Sequence, residues 1–162
     1  MSTDIDVRKI LVEHARHEAV ADGSAAIEAE HLFLALAARE GTSAQRVLAE
    51  AGLDRDSIRA ALDREWQQSL AVAGVRVELA ALPIPTPDPK AKPGIGASAR
   101  LALERSIHKQ AGGTVRRIGP SHLLAGVLAS DRGRVARVLA LADINREHLL
   151  AQAITAEAAD GR

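Results

Sequence analysis

The chain has 162 residues, 47% of them hydrophobic, with 21 basic side chains balancing 21 acidic ones and no cysteine. That length fits one compact domain, or two small lobes sharing one core. Zero net charge argues against a nucleic-acid binder, which needs excess Lys and Arg to neutralise phosphates, and the lack of cysteine removes disulfides and thiolate sites, as suits a reducing cytoplasm.

Residues 1–6 are acidic where a secretory leader would be basic, and no apolar run approaches the ~20 residues that span a bilayer. The sequence therefore predicts a cytoplasmic protein with no membrane partner. Phe33 and Trp66 are the only aromatic residues, so the core must come from Leu, Val, Ile and Ala. Ala favours helices and lets them approach closely, which predicts an all-α fold.

In chain order, residues 5–21 place Ile5, Ile10, Leu11, Ala15 and Ala19 at helical spacing, and Gly23 interrupts them. A helix over 29–39 presents Leu32, Leu34, Leu36 and Ala37, an apolar surface too broad for a solvent-facing helix, so it belongs at the centre. A short helix over 43–51 buries Val47 and Leu48. Gly52 suits a left-handed stop and Asp54 an N-cap for a fourth helix over 55–70, which buries Ile58 and Leu62 and carries Trp66 as a candidate edge residue.

Val75-Arg76-Val77-Glu78-Leu79 then alternates apolar and polar, the pattern of a short strand or extended packing segment. Residues 83–93 hold five of the six prolines and predict an extended, semi-rigid strap. Four more helices follow, over 97–111, 120–130, 133–142 and 146–158, with Pro120 at a first helical position and Asn145 as N-cap.

The second four helices repeat the first. Ile27-Glu28-Ala29-Glu30-His31-Leu32 returns as Ile118-Gly119-Pro120-Ser121-His122-Leu123, and Arg46-Val47-Leu48-Ala49 as Arg137-Val138-Leu139-Ala140, at a constant offset of 91. Glu13, His17 and Arg55 recur as Glu104, His108 and Arg146. A fixed offset over this length marks an internal duplication. It divides a single domain (1–162) into repeat one (5–70), a Pro-rich linker (71–96) and repeat two (97–157). Charge is split as well: residues 1–81 hold nine Lys/Arg against fourteen Asp/Glu, residues 82–162 twelve against seven. Copies that dock by opposite charge, one surface with an acidic and a basic end, and solvated helix faces all fit that split.

The repeated unit resembles the Clp N-terminal domain, the duplicated helical module of Clp-family unfoldases. The likeness is carried by Glu30-His31-Leu32-Phe33-Leu34-Ala35-Leu36, by Val47-Leu48-Ala49-Glu50-Ala51-Gly52-Leu53, and by their second-copy counterparts. It implies eight helices in two tandem four-helix repeats related by pseudo-two-fold symmetry. It also implies a non-catalytic docking module for substrates, adaptors and peptide-like small molecules, working with a separately encoded Clp ATPase as adaptor or decoy. Relatives of the ClpC type recognise phosphorylated arginine and bind cyclic peptides. In them an acidic residue before each repeat histidine holds the guanidinium, so the resemblance assigns ligand contact to Glu30 and leaves Ser121 without that role. No Gly-Lys pair occurs, so the G-x-x-x-x-G-K-[ST] phosphate loop of a motor is missing from these residues.

A carboxylate at Glu30 suits a guanidinium because two oxygens can accept two parallel N–H bonds; it also suits the positive end of its own helix. His31 and His122 read as fold residues bonded to neighbouring backbone, not metal ligands, and no cofactor is expected. Two other readings are a metal-dependent hydrolase using His14 and His17, three apart on the first helix, and a helical DNA-binding regulator. Gly94-Ile95-Gly96-Ala97-Ser98-Ala99 spells a dinucleotide loop but lacks the βαβ unit around it, and reads as a flexible hinge. Arg132, Arg134 and Arg137, with Arg116 and Arg117, form a basic rim, read here as a solvated face.

Overall fold

The computed structural model describes residues 7, 9–76, 78–108 and 118–160. Ile10–Ala15 winds as a π-helix and runs on as the α-helix Arg16–Ala21, together α1. Then come strand β1 (Ala26–Ile27), helices α2 (Ala29–Ala38), α3 (Ser43–Glu50) and α4 (Arg55–Val72), and a 3₁₀ turn (Leu79–Ala81). Strand β2 (Gly94–Ile95) leads into α5 (Ala97–His108), α6 (Pro120–Leu128), α7 (Arg134–Leu141) and α8 (Arg146–Asp160). The molecule is mostly helical, as its composition demands. Among the described residues no helix is long and apolar enough to cross a membrane.

Local chemistry sets the helix ends. Thr42 Oγ1 accepts from the Gln45 N–H, Asp54 Oδ1 from Ser57, and Asn145 Oδ1 from His148, each satisfying a donor the helix leaves orphaned. After α3, Gly52 takes φ +76°, the left-handed stop its sequence position suggests. Its equivalent after α7 is Asp143, at φ 56°. The repeat imposes a left-handed conformation there on a residue that has a Cβ, one of the few types that tolerates it.

Helices α2 and α6 form the centre. Residues 31–37 are buried without a break, Leu32, Phe33, Leu34 and Leu36 completely. Along α6, Leu123, Leu124 and Leu128 are equally inaccessible. The two central helices touch, and the others wrap them in a crossed arrangement. Within each half the first helix packs on the central one, α1 on α2 and α5 on α6. Across the halves the third helix of one lies on the fourth of the other, α3 on α8 and α4 on α7. Such reciprocal contacts are those of a two-fold interface, here within a single chain.

The strap at 83–93 is non-helical, but it is not extended throughout: a turn at Pro89–Lys90 brings the Ala91 N–H onto the Asp88 carbonyl at 3.0 Å. The alternation at 75–79 makes no strand among the described residues: Val75 is exposed and Leu79–Ala81 turns as 3₁₀. Val77 lies outside the described residues. The strand pairing in the described residues is instead β1 with β2, parallel, Ala26 opposite Gly94 and Ile27 opposite Ile95. Gly94–Ile95 is thus pinned to repeat one, which corrects its reading as a flexible hinge. Glu28 completes the join: its carboxylate accepts from the Ser98 N–H (3.1 Å) and the Ser98 hydroxyl at the start of α5, while Ser98 Oγ accepts from the Ala29 N–H (2.8 Å).

Helices α5 and α6 come close because Gly126 has no side chain. A Cβ there would sit 2.1 Å from the Ala102 carbonyl oxygen. Backbone on both sides leaves little room to yield, so Gly126→Ala is expected to destabilise the protein by about 1–3 kcal/mol in a urea titration.

Candidate functional site

The paired histidines do the same job in both halves. The Glu28 N–H donates to His31 Nδ1 at 2.9 Å, and the Gly119 N–H to His122 Nδ1 at 2.9 Å. Each ring sits at the third position of its central helix and satisfies the N-cap amide, the half of a capping box that Glu or Gln usually supplies. A bare Nδ1 leaves the proton of the neutral ring on Nε2. In repeat one that Nε2 meets Asp22 Oδ2 at 2.9 Å.

Asp22 is part of a network joining α1, α2 and α4. Glu18, almost fully buried, is held by Arg55 through two bonds (2.6 and 3.1 Å) and by Arg59 (2.7 Å), which also reaches Asp22. Burial pushes the Asp22 carboxyl up, but the His31 hydrogen bond and the Arg59 charge outweigh it and hold it below the ordinary value. Repeat two does not copy this network. The equivalents of Glu18 and Asp22 are Lys109 and Gly113, outside the described residues, and Arg146, the equivalent of Arg55, donates to the Leu128 carbonyl (2.6 Å).

Glu30 opens α2 and faces a cleft of about 240 Å³ between the repeats. Its walls come from the start of α2, from Leu101, Ala102 and Arg105 on α5, from Gly126 and Val127 on α6, and from Ser130 and 132–135 ahead of and within α7. Arg134 spans it. Its Nη1 lies 3.3 Å from Glu30 Oε1, its Nε donates to Glu65 Oε2 (3.0 Å) and its Nη2 to the Leu62 carbonyl (3.4 Å). Glu65, 3% exposed, also accepts from Arg137 (2.7 Å) and from the Ser69 hydroxyl (2.9 Å). Burial raises its carboxyl pKa, but these donors prevail and bring it below the ordinary range. Arg134 and Arg137 are therefore arms of an inter-repeat ion-pair network, not the solvated face that charge runs usually form. Arg132 is exposed, and Arg116 and Arg117 lie outside the described residues. Among the described residues neither Arg105 nor Arg132 is in an ion pair.

The offset of 91 makes Ser121 the equivalent of Glu30 and Arg134 the equivalent of Ser43. Ser121 is fully buried and its hydroxyl bonds the Ser43 hydroxyl. The same contact is thus made twice about the two-fold relation, once as a carboxylate–guanidinium pair and once as a pair of hydroxyls. No signal in either repeat alone reveals this, because each contact joins position 30 of one motif to position 43 of the other.

The remaining constellations do not assemble. His14 Nε2 lies 3.4 Å from Arg39 Nη1, and His17 is exposed on the following turn. Among the described residues no group of three or more His, Asp or Glu could hold a metal. The dinucleotide-like loop meets the Glu28 carboxylate at the place where a phosphate would approach the α5 N-terminus.

Two outcomes follow from the buried polar groups. Asp22 and Glu65 have lowered folded-state pKa values, so the unfolded chain binds more protons in acid. Their contribution to stability is full above the ordinary values of 3.8 and 4.5 and is lost as pH falls from there through the lower folded-state values. The thermal midpoint should stay level from neutrality to about pH 5 and then drop, with a smaller drop in Glu65→Gln. Ser121→Ala should cost about 1 kcal/mol of stability by equilibrium denaturation, since it deletes one partner of a buried hydrogen bond.

The sequence profile of the Clp repeat (R) N-terminal domain family matches residues 6–140. No curated protein sequence matches. Among solved structures, the N-terminal domain of the caseinolytic protease associated chaperone ClpD from Arabidopsis thaliana superimposes with a TM-score of 0.63 at 18% identity, covering 96% of this chain and 92% of that one. A structure from work on a malarial protein secretion system gives 0.60 at 18% identity over the same shares. At that identity the likeness is one of fold.

Proposed function

Because the chain belongs to the Clp repeat N-terminal domain family, we propose that it is a non-catalytic protein- and peptide-recognition module serving Clp-dependent unfolding and proteolysis. Family and fold support a protein-interaction role. The 162 residues carry no phosphate-cradling loop of a motor, so the ATP-driven step falls to a motor outside them. As an adaptor the module delivers cargo to that motor; as a decoy it competes with the motor's own N-domain for the same ligands.

The observation that carries the reading is the inter-repeat cleft at Glu30. Its lining holds that carboxylate together with two arginines, Arg105 and Arg132, that have no carboxylate partner among the described residues. Phosphoarginine presents a guanidinium and a phosphoryl group on one side chain, and the cleft offers each its complement: Glu30 for the N–H groups, the arginines for the phosphoryl oxygens. The hydrolase reading has no comparable support, since His14 and His17 gather no third ligand among the described residues. The DNA-binding reading finds no excess positive charge in the chain as a whole.

Titration with an arginine-phosphorylated peptide should shift the amide NMR signals of Ala29, Glu30 and Arg105. Glu30→Ala is expected to weaken binding at least about tenfold, the cost of breaking a charge-assisted pair. Saturating peptide that leaves all amide signals in place removes the phosphoarginine reading.

A further inference from the structure

We infer that Arg134 is a built-in occupant of the Glu30 subsite: a guanidinium of the protein itself, which a ligand guanidinium must displace. This rests on the reading that the cleft at Glu30 receives an arginine-derived side chain.

Three observations converge on Arg134. Its guanidinium already makes with Glu30 the kind of contact an arginine-type ligand would make. It lines the open cleft and is 30% exposed, so a ligand entering the cleft meets it directly. Its main anchor lies elsewhere: the bond to Glu65 is 3.0 Å, that to Glu30 3.3 Å. The side chain can therefore leave Glu30 while keeping Glu65. Glu65, in turn, retains Arg137 and the Ser69 hydroxyl whether or not Arg134 is present, so its buried charge is never orphaned.

The two-fold mate of the contact shows that the fold does not require an ion pair here. Ser43 and Ser121 fill the same relation with two hydroxyls. Glu30 and Arg134 thus stand as a charged pair at a place where a neutral one suffices for packing, and of the two pairs only this one lines the cleft.

The consequence is a threshold. An internal competitor reduces the fraction of molecules whose Glu30 is open, and every guanidinium ligand loses apparent affinity in proportion. A plain arginine side chain draws its attraction from the cleft's carboxylates alone and feels that loss in full. A side chain that adds a phosphoryl group for Arg105 and Arg132 remains a ligand.

The test compares the wild-type protein, Arg134→Met, Arg134→Lys and Arg137→Met by calorimetric titration. The probes are one peptide carrying arginine and the same peptide carrying phosphoarginine, with far-UV circular dichroism to verify folding. Arg134→Met should bind both peptides more tightly, by about fivefold if the pair is typical of a partly exposed ion pair. Arg134→Lys, which keeps a cation beside Glu65 but loses the planar fork, should gain less. Arg137→Met makes the same change in net charge without touching Glu30 and should gain nothing. Equal affinities for wild type and Arg134→Met overturn the inference and leave the cleft reading standing. Weaker binding by Arg134→Met makes Arg134 a ligand contact and also overturns it. Silence from both peptides with every protein removes the cleft reading, and the inference with it.

Discussion

Burial of two helices that have no polar face is the constraint on which the rest of this structure depends. Along α2 and α6 nearly every side chain is apolar, and a four-helix unit covers only part of such a surface. The remainder must be buried against the other unit. The solution is reciprocal: each central helix leans on the other, and the third helix of each unit lies across the fourth of its partner. Neither repeat owns a closed core, so the duplicated motifs fold as one body.

That reciprocity also decides where polar chemistry can sit. The line of contact between repeats brings position 30 of one motif against position 43 of the other, twice. In one instance the pair is buried serines; in the other it is Glu30 and Arg134 at the mouth of a cleft. Divergence of two copies at a shared interface has produced one neutral, sealed contact and one charged, accessible contact. The acidic excess of the first half and basic excess of the second meet here, where Glu30 and Glu65 receive Arg134 and Arg137. A second network, Glu18 and Asp22 with Arg55, Arg59 and His31, is confined to repeat one. Buried ion pairs of this kind give modest net stability, because desolvation offsets their attraction, but removing one partner is costly.

The join between the linker and repeat two illustrates how a loop acquires order. Gly94-Ile95-Gly96 carries the glycines of a hinge, and a short glycine-rich segment has no local preference for a fixed path. Its conformation is set by partners distant in sequence: the backbone of Ala26–Ile27, the carboxylate of Glu28 and the hydroxyl of Ser98. The strap before it stays out of helix for a local reason, since proline fixes φ and removes the donor a helix needs.

The sequence by itself determined the helices, their caps and the doubling. Apolar periodicity, Asp54 and Asn145 act through the backbone within a few residues, and the offset of 91 is plain arithmetic on the sequence. It also singled out the histidines as a matched pair, and the Clp likeness of the strings around them. Only the tertiary structure decided what those residues face. Glu30 reads as an unpartnered carboxylate until Arg134, 104 residues further on, is folded against it. Arg134 and Arg137 read as a solvated rim until Glu65 is buried beneath them, and the alternation at 75–79 reads as a short strand or extended packing segment until Val75 is left exposed and Leu79–Ala81 turns as 3₁₀. Secondary structure is encoded over one or two turns of chain, whereas an ion pair depends on the packing of two repeats whose contact leaves no periodic trace in either.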